Sequence, residues 1–145
     1  MFYKVPHYTK SLIKERSTSA KYYVADIGLS NAVLLSQSED ESKALENIVF
    51  LMIKRSLSED DRVYYFSETS ECDFVVQRSG GISDLIQVCW SLEESNIKRE
   101  IDGLVAASNV TKCKECKIIT FNQRKTIERD GLKIEVIPAW SLDSL

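Results

Sequence analysis

The chain has 145 residues, and a composition of 43% hydrophobic and 28% charged residues is typical of a folded protein with its own core. Its five Gly and two Pro leave little room for disordered linkers, and no stretch approaches the roughly 20 apolar residues of a membrane helix. The N-terminus lacks the basic and apolar regions of a signal peptide. We therefore expect a cytoplasmic protein whose four cysteines stay reduced.

The net charge of −3 is unevenly distributed. Residues 1–21 carry five basic side chains and one acidic side chain, whereas residues 22–73 carry eleven acids and four bases. Such asymmetry is usually solvated surface, but a basic arm can also attract nucleic-acid phosphates. The candidate nucleic-acid-binding residues of the arm are Lys4, Lys10, Lys14 and Arg16.

The first predicted elements are short. Strand composition marks residues 2–5 and 21–25, and Asp26 can cap a short helix that ends near Leu35. A longer helix is predicted over about 40–56, because acids precede it, basic residues end it and apolar residues recur at helical spacing. Its apolar face consists of Leu45, Ile48, Val49, Met52 and Ile53.

Strands dominate the rest of the sequence. The predicted elements are strands over 62–67, 72–77 and 84–90, a helix over 92–108, and strands over 117–121, 126–128 and 133–138. Gly80-Gly81 and Asp130-Gly131 each indicate a hairpin turn. The order of helix, three strands, helix and strand predicts an α/β fold with a central mixed sheet flanked by helices.

Four residues of this predicted core form a pattern with known chemistry. Glu46 interrupts the apolar sequence of the long helix, and Asp73 lies near the start of a strand. Gln87 and Cys89 are two residues apart on the next strand, so their side chains point to the same face. Metal-dependent nucleases use such an arrangement to hold Mg²⁺ ions, which neutralise the phosphate and activate water, beside a charge-stabilising lysine.

This pattern resembles the PD-(D/E)XK, or restriction-endonuclease-like, core. The segments KYYVADIGLSNAV, ALENIVFLMIKR, ECDFVV and DLIQVCWSLEE are similar to the C-terminal domain of an uncharacterised family of prokaryotic AAA-type P-loop ATPases. The resemblance covers about residues 20–140. It implies one nuclease-like domain over 1–145, with a basic arm (1–20) and a core (21–140), that forms the C-terminal part of a longer ATPase. This chain has no ATP site, because none of its glycines precedes a P-loop Lys.

The resemblance assigns the metal-binding acids to Glu46 and Asp73. Gln87 then stands in place of the (D/E) and Cys89 in place of the Lys. Gln brings no charge to a metal, and Cys carries no fixed positive charge. Because single electrostatic groups commonly contribute about 10²–10³-fold to the rate, we expect the site to be inactive and to hold no Mg²⁺. Four residues remain open as replacements from elsewhere in the chain: Glu68, Glu71, Glu93 and Lys98.

A second motif is Cys113-Lys114-Glu115-Cys116. A zinc site usually has four ligands, and the remaining cysteines and His7 occur at no regular spacing. A redox pair would follow a strand, whereas this motif precedes one. We expect a turn between a helix and a strand, with a thiol in the core.

Three functions remain open from the sequence. The leading hypothesis is a degenerate nuclease-like domain that acts as a binding or regulatory module of a P-loop ATPase in cis and associates with nucleic acid. The first alternative is an active Mg²⁺-dependent deoxyribonuclease, a phosphodiesterase that uses Glu46, Asp73 and Gln87. The second is a purely structural oligomerisation domain. None of the three involves a membrane.

Overall fold

The protein is described by a computed structural model over residues 1–10, 19–26, 28 and 38–142. Lys14 and Arg16 of the basic arm lie outside these residues, as does almost all of the short helix predicted to end near Leu35. The side chain of Asp26 accepts a hydrogen bond of 2.8 Å from the N–H of Gly28, as a capping residue does.

The described chain contains two long helices and eight strands. The strands are β1 (Phe2–Val5), β2 (Lys21–Val24), β3 (Arg62–Ser67), β4 (Glu71–Arg78), β5 (Gly81–Val88), β6 (Cys116–Thr120), β7 (Lys125–Arg129) and β8 (Leu132–Pro138). The helices are α1 (Ser38–Ser56) and α2 (Ile97–Thr111), and a short 3-10 helix follows β8 at Ala139–Ser141. Neither long helix in this part of the chain could span a membrane.

Six strands form a mixed sheet in the order β3-β4-β5-β6-β8-β7. Strands β5, β6 and β8 are parallel to one another, and the pairs β3–β4, β4–β5 and β7–β8 are antiparallel. Ile101 and Leu104 of α2 belong to one buried apolar cluster, and Leu45 and Val49 of α1 belong to another. The predicted α/β class with a mixed sheet flanked by helices is therefore confirmed, and it is consistent with a restriction-endonuclease-like core.

The start of α2 differs from the prediction. The helix begins at Ile97 rather than near residue 92, because Asn96 stabilises a turn before it. Its Oδ1 accepts a hydrogen bond from the N–H of Glu93, and its Nδ2 donates to the carbonyl of Ser91. Asn side chains favour such turns over helix interiors. The helix then continues beyond the predicted residue 108, to Thr111.

Strands β1 and β2 form a separate antiparallel ribbon. Its position is fixed on one side by β3, since Tyr65 donates its N–H to the carbonyl of Pro6 and accepts the N–H of Tyr8. On the other side Asn47 of α1 pairs with β2. Its amide accepts the N–H of Val24 at 2.8 Å and donates to the carbonyl of the same residue at 3.0 Å. The ribbon is therefore held against the helix that carries Glu46.

Candidate functional site

A cleft of about 700 Å³ opens where α1, α2 and the end of β5 meet. The acidic residues lining it are Glu46, Glu71, Asp73, Glu100 and Asp102, and the basic ones are Lys43, Lys98 and Arg99. The cleft therefore contains three of the four predicted motif residues, Glu46, Asp73 and Gln87. Cys89 does not line it.

The acidic side chains converge on Lys21, the first residue of β2. The Nζ atom of Lys21 lies 3.2 Å from Asp73 Oδ1 and 3.3 Å from Glu46 Oε1. It lies 2.5 Å from Oε1 of Glu71, whose side chain is half exposed. One ammonium group thus bridges three carboxylates.

Tyr23 supports this arrangement from the same face of β2, because residues two apart on a strand share a face. Its hydroxyl donates a hydrogen bond of 2.5 Å to Oε1 of Glu46. Its ring stacks on Phe50 of α1, with 4.4 Å between the ring centroids. Lys21 and Tyr23 therefore both contact the carboxylate of Glu46.

Asp73 lies at an irregular point of β4. Residues 73 and 74 of β4 lie opposite the single residue Tyr65 of β3, which is the two-against-one count of a β-bulge. Bulges redirect side chains next to functional sites. Here the bulged residue Asp73 is buried, and its Oδ2 accepts the N–H of Val88 at 2.9 Å.

The electrostatics reflect this crowding. Burial, followed by the charge of Glu46, raises the pKa of Asp73 to about 7, although Lys21 and the Val88 N–H act in the opposite direction. Burial alone would lower the pKa of Lys21. The carboxylates of Asp73, Glu46 and Glu71 outweigh burial and hold that pKa above its usual value. Lys21 is therefore charged at neutral pH.

The oxygen and the nitrogen of the Gln87 side-chain amide both form hydrogen bonds inside the protein. Its Oε1 accepts the N–H of Asp73 at 2.9 Å, and its Nε2 donates to the carbonyls of Glu71 at 2.7 Å and Glu100 at 3.2 Å. With 3% of its surface exposed, it joins β4, β5 and α2. Gly103 of α2 permits this approach, because a Cβ there would lie 2.4 Å from Nε2 of Gln87.

Cys89 belongs to the apolar core on the α2 side, together with Ile101 and Leu104. Strand β5 ends at Val88 rather than at the predicted residue 90, so Cys89 lies one residue beyond the strand, while Gln87 reaches the same helix through the carbonyl of Glu100. Burial, followed by the charge of Glu100, raises the pKa of Cys89 to about 12. The thiol is thus neutral at physiological pH and supplies no charge to the cleft.

The Mg²⁺ that the nuclease resemblance implies does not fit this arrangement. Lys21 already lies between Glu46 and Asp73, and the side-chain oxygen of Gln87 is turned toward a backbone N–H. Within the ranges that the structure describes, no three His, Cys, Asp or Glu side chains are placed to hold a metal ion.

Sequence patterns did not identify Lys21, Tyr23, Glu100 or Gly103 as residues of the site. Lys21 lies in a predicted strand two residues before Tyr23, which is a usable signal because such residues share a face. Gly103 had no signal beyond being a glycine inside a predicted helix. Of the replacement candidates, Glu71 and Lys98 line the cleft, whereas Glu68 and Glu93 do not.

The other candidates lie elsewhere. Lys4 and Lys10 are exposed, and Lys4 pairs with Tyr22 in the ribbon rather than lining the cleft. Cys113 lies between α2 and β6, Cys116 is the first residue of β6, and both are buried free thiols. The expected connection between a helix and a strand is confirmed, but it buries two thiols rather than one.

No protein-family model matches the chain. It is 35% identical over 129 residues to the uncharacterised protein MJ1544 of Methanocaldococcus jannaschii, an alignment that covers 83% of this chain and 28% of MJ1544. It is 28% identical over 147 residues to an uncharacterised protein of Haemophilus influenzae, covering 98% of this chain and 34% of that protein. The chain therefore spans only about a third of the length of the curated relatives it matches.

Proposed function

We propose that this chain is a catalytically inactive nuclease-like domain that acts as a binding or regulatory module of a P-loop ATPase. The observation that carries the proposal is the environment of Gln87. It takes the position of a catalytic acid in the PD-(D/E)XK resemblance, yet all three of its hydrogen bonds go to backbone groups. The buried neutral thiol of Cys89, at the position of the lysine, supports the same conclusion.

The ATPase would be a partner in cis, in the cytoplasm. Support comes from the two relatives, in which the matching region is 28% and 34% of a longer polypeptide. A direct test uses the full-length Haemophilus influenzae protein. We expect it to hydrolyse ATP, and we expect deletion of its region that matches this chain to change the hydrolysis rate. No ATP hydrolysis by that protein would refute the cis-ATPase part of the proposal.

Nucleic acid is the proposed ligand of the basic arm. Lys4 and Lys10 are exposed, so both can reach phosphates without displacing core contacts. Phosphate contacts make binding depend on salt, because each one releases counterions. We expect a gel shift with DNA that weakens as salt rises and weakens further in Lys4→Gln/Lys10→Gln. With neither a gel shift nor cleavage, an oligomerisation role becomes the better explanation, and light scattering would report the oligomer.

The decisive experiment is a cleavage assay. Supercoiled plasmid and end-labelled single-stranded DNA are incubated with the chain in millimolar Mg²⁺ or Mn²⁺, beside Asp73→Asn. We expect both proteins to show the same background. Cleavage by the native chain that disappears in Asp73→Asn would mean that the domain is an active nuclease.

One observation favours that second candidate, a metal-dependent deoxyribonuclease. Glu71 lines the cleft as a third carboxylate and Lys21 contacts its acids, and these are the two kinds of group that Gln87 and Cys89 lack. If these residues replace the lost pair, Glu71→Gln and Lys21→Met would each abolish the cleavage seen with the native chain. Background cleavage that does not come from this domain would be the same in both variants as in the native chain.

A further inference from the structure

We propose that Lys21 is the built-in cation of the cleft, and that its ammonium group takes the place of a divalent ion among Glu46, Glu71 and Asp73. The carboxylates would then be closed to divalent ions as long as Lys21 stays in place. This inference deepens the proposed function and rests on it for the comparison with metal nucleases.

The ammonium group of Lys21 has the geometry of a bridging cation. An ammonium has three N–H donors, and the three carboxylate oxygens around Lys21 Nζ lie at 2.5–3.3 Å. Each oxygen comes from a different residue, one on α1 and two on β4. The lysine therefore joins the elements that a bound metal would join.

Lys21 also compensates the negative charge of buried carboxylates. The side chains of Glu46 and Asp73 are only 20% and 12% exposed, so water compensates their charges poorly. Carboxylates buried close together repel each other unless a cation lies between them. With Lys21 absent, these carboxylates would have to take up protons or another cation.

Lys21 is held in position by its neighbours. Asn47 makes both of its hydrogen bonds to the backbone of Val24, and Tyr23 packs between Glu46 and the ring of Phe50. The long Lys21 side chain therefore starts from a fixed strand and ends among the carboxylates. Its ammonium also connects the β1–β2 ribbon to the edge of the cleft.

The test compares Lys21→Met, which keeps most of the side-chain length without the charge, with the native chain. Lys43→Met is the matched control, because Lys43 is an exposed lysine lining the same cleft. Mn²⁺ is the probe. Free Mn²⁺ is measured by electron paramagnetic resonance, and thermal unfolding is followed with and without Mn²⁺.

We expect Lys21→Met to bind Mn²⁺ at least about tenfold more tightly than the native chain and to unfold at a lower temperature without it. Mn²⁺ should raise the unfolding temperature of Lys21→Met. The double variant Lys21→Met/Asp73→Asn should not show this rise. The native chain and Lys43→Met should respond alike and weakly. Equal Mn²⁺ affinity in the native chain and Lys21→Met would overturn the proposal, as would a Lys21→Met variant as stable as the native chain.

If Lys21→Met does not fold alone, refolding with Mn²⁺ gives the answer. Recovery of the fold supports a built-in cation, and failure to recover refutes it. The cleavage assay stays independent of this result. A native chain that binds Mn²⁺ tightly but cleaves nothing would refute the lysine proposal and leave the inactive domain standing.

Discussion

Oε1 of Gln87 accepts a hydrogen bond of 2.9 Å from the backbone N–H of Asp73, so these two motif residues are joined directly. In a metal nuclease the corresponding side chains would instead face a shared ion. Gln87, at the position where a catalytic acid is expected, is a structural bridge between β4, β5 and α2. An acid at this position should therefore harm the fold.

Gln87→Glu tests this bridge. A carboxylate keeps the acceptor for Asp73 but loses both donors, and it would face the carbonyl oxygens of Glu71 and Glu100. Leaving buried polar groups unpaired costs about 1–3 kcal/mol, and more when one is charged. We expect a loss of that size in the free energy of unfolding in urea at neutral pH.

The penalty of Gln87→Glu should shrink in acid, where the protonated carboxyl group can donate one hydrogen bond. Cleavage should stay absent even in Gln87→Glu/Cys89→Lys, because the lysine would enter the apolar core around Ile101. An unchanged stability for Gln87→Glu would contradict this account of the site.

Gly103→Ala tests the close approach of α2 to the same bridge. An added Cβ would lie 2.0 Å from the carbonyl oxygen of Glu71 and 2.4 Å from Nε2 of Gln87. Overpacking of this kind typically costs about 1–3 kcal/mol, which exceeds the gain in helix propensity from Ala. We expect a clear loss in the free energy of unfolding. Gly81→Ala is the control, because a Cβ there meets nothing within 4 Å.

The sequence predicted the sheet better than the site. Gly80-Gly81 and Asp130-Gly131 are local signals, and each does lie at a hairpin turn between paired antiparallel strands. The contacts of Lys21 depend instead on residues 25 and 52 positions away in the chain. They also require the two hydrogen bonds of Asn47 to Val24, and no local pattern contains that pairing.

Tyr23→Phe tests the hydrogen bond to Glu46. The substitution removes a hydroxyl that lies 2.5 Å from Oε1 of Glu46 and keeps the ring that stacks on Phe50. Hydrogen bonds to charged groups contribute about 1.5–3 kcal/mol, so we expect a loss of that order in thermal or urea unfolding. Tyr22→Phe is the matched control, because Tyr22 is 63% exposed on the opposite face of β2. Equal effects of the two substitutions would contradict the assignment.

Glu100 is buried, and we expect it to make the stability of the protein depend on pH. Burial raises its pKa, with smaller contributions from Glu46 and Glu71, while the hydrogen bond from Arg99 opposes the shift. A carboxyl group whose pKa is raised on folding gives stability that is fully present below the unfolded pKa of about 4.3. That stability is lost as pH rises through the folded pKa.

Glu100→Gln removes the titrating group and should remove this loss. Between about pH 4 and pH 8 we expect the melting temperature of Glu100→Gln, relative to the native chain, to rise with pH. Arg99→Gln is the informative partner variant. It deletes the group that opposes the shift, so its own loss of stability toward high pH should be steeper than that of the native chain. A difference between Glu100→Gln and the native chain that stays constant with pH would show that Glu100 titrates alike in the folded and unfolded chains.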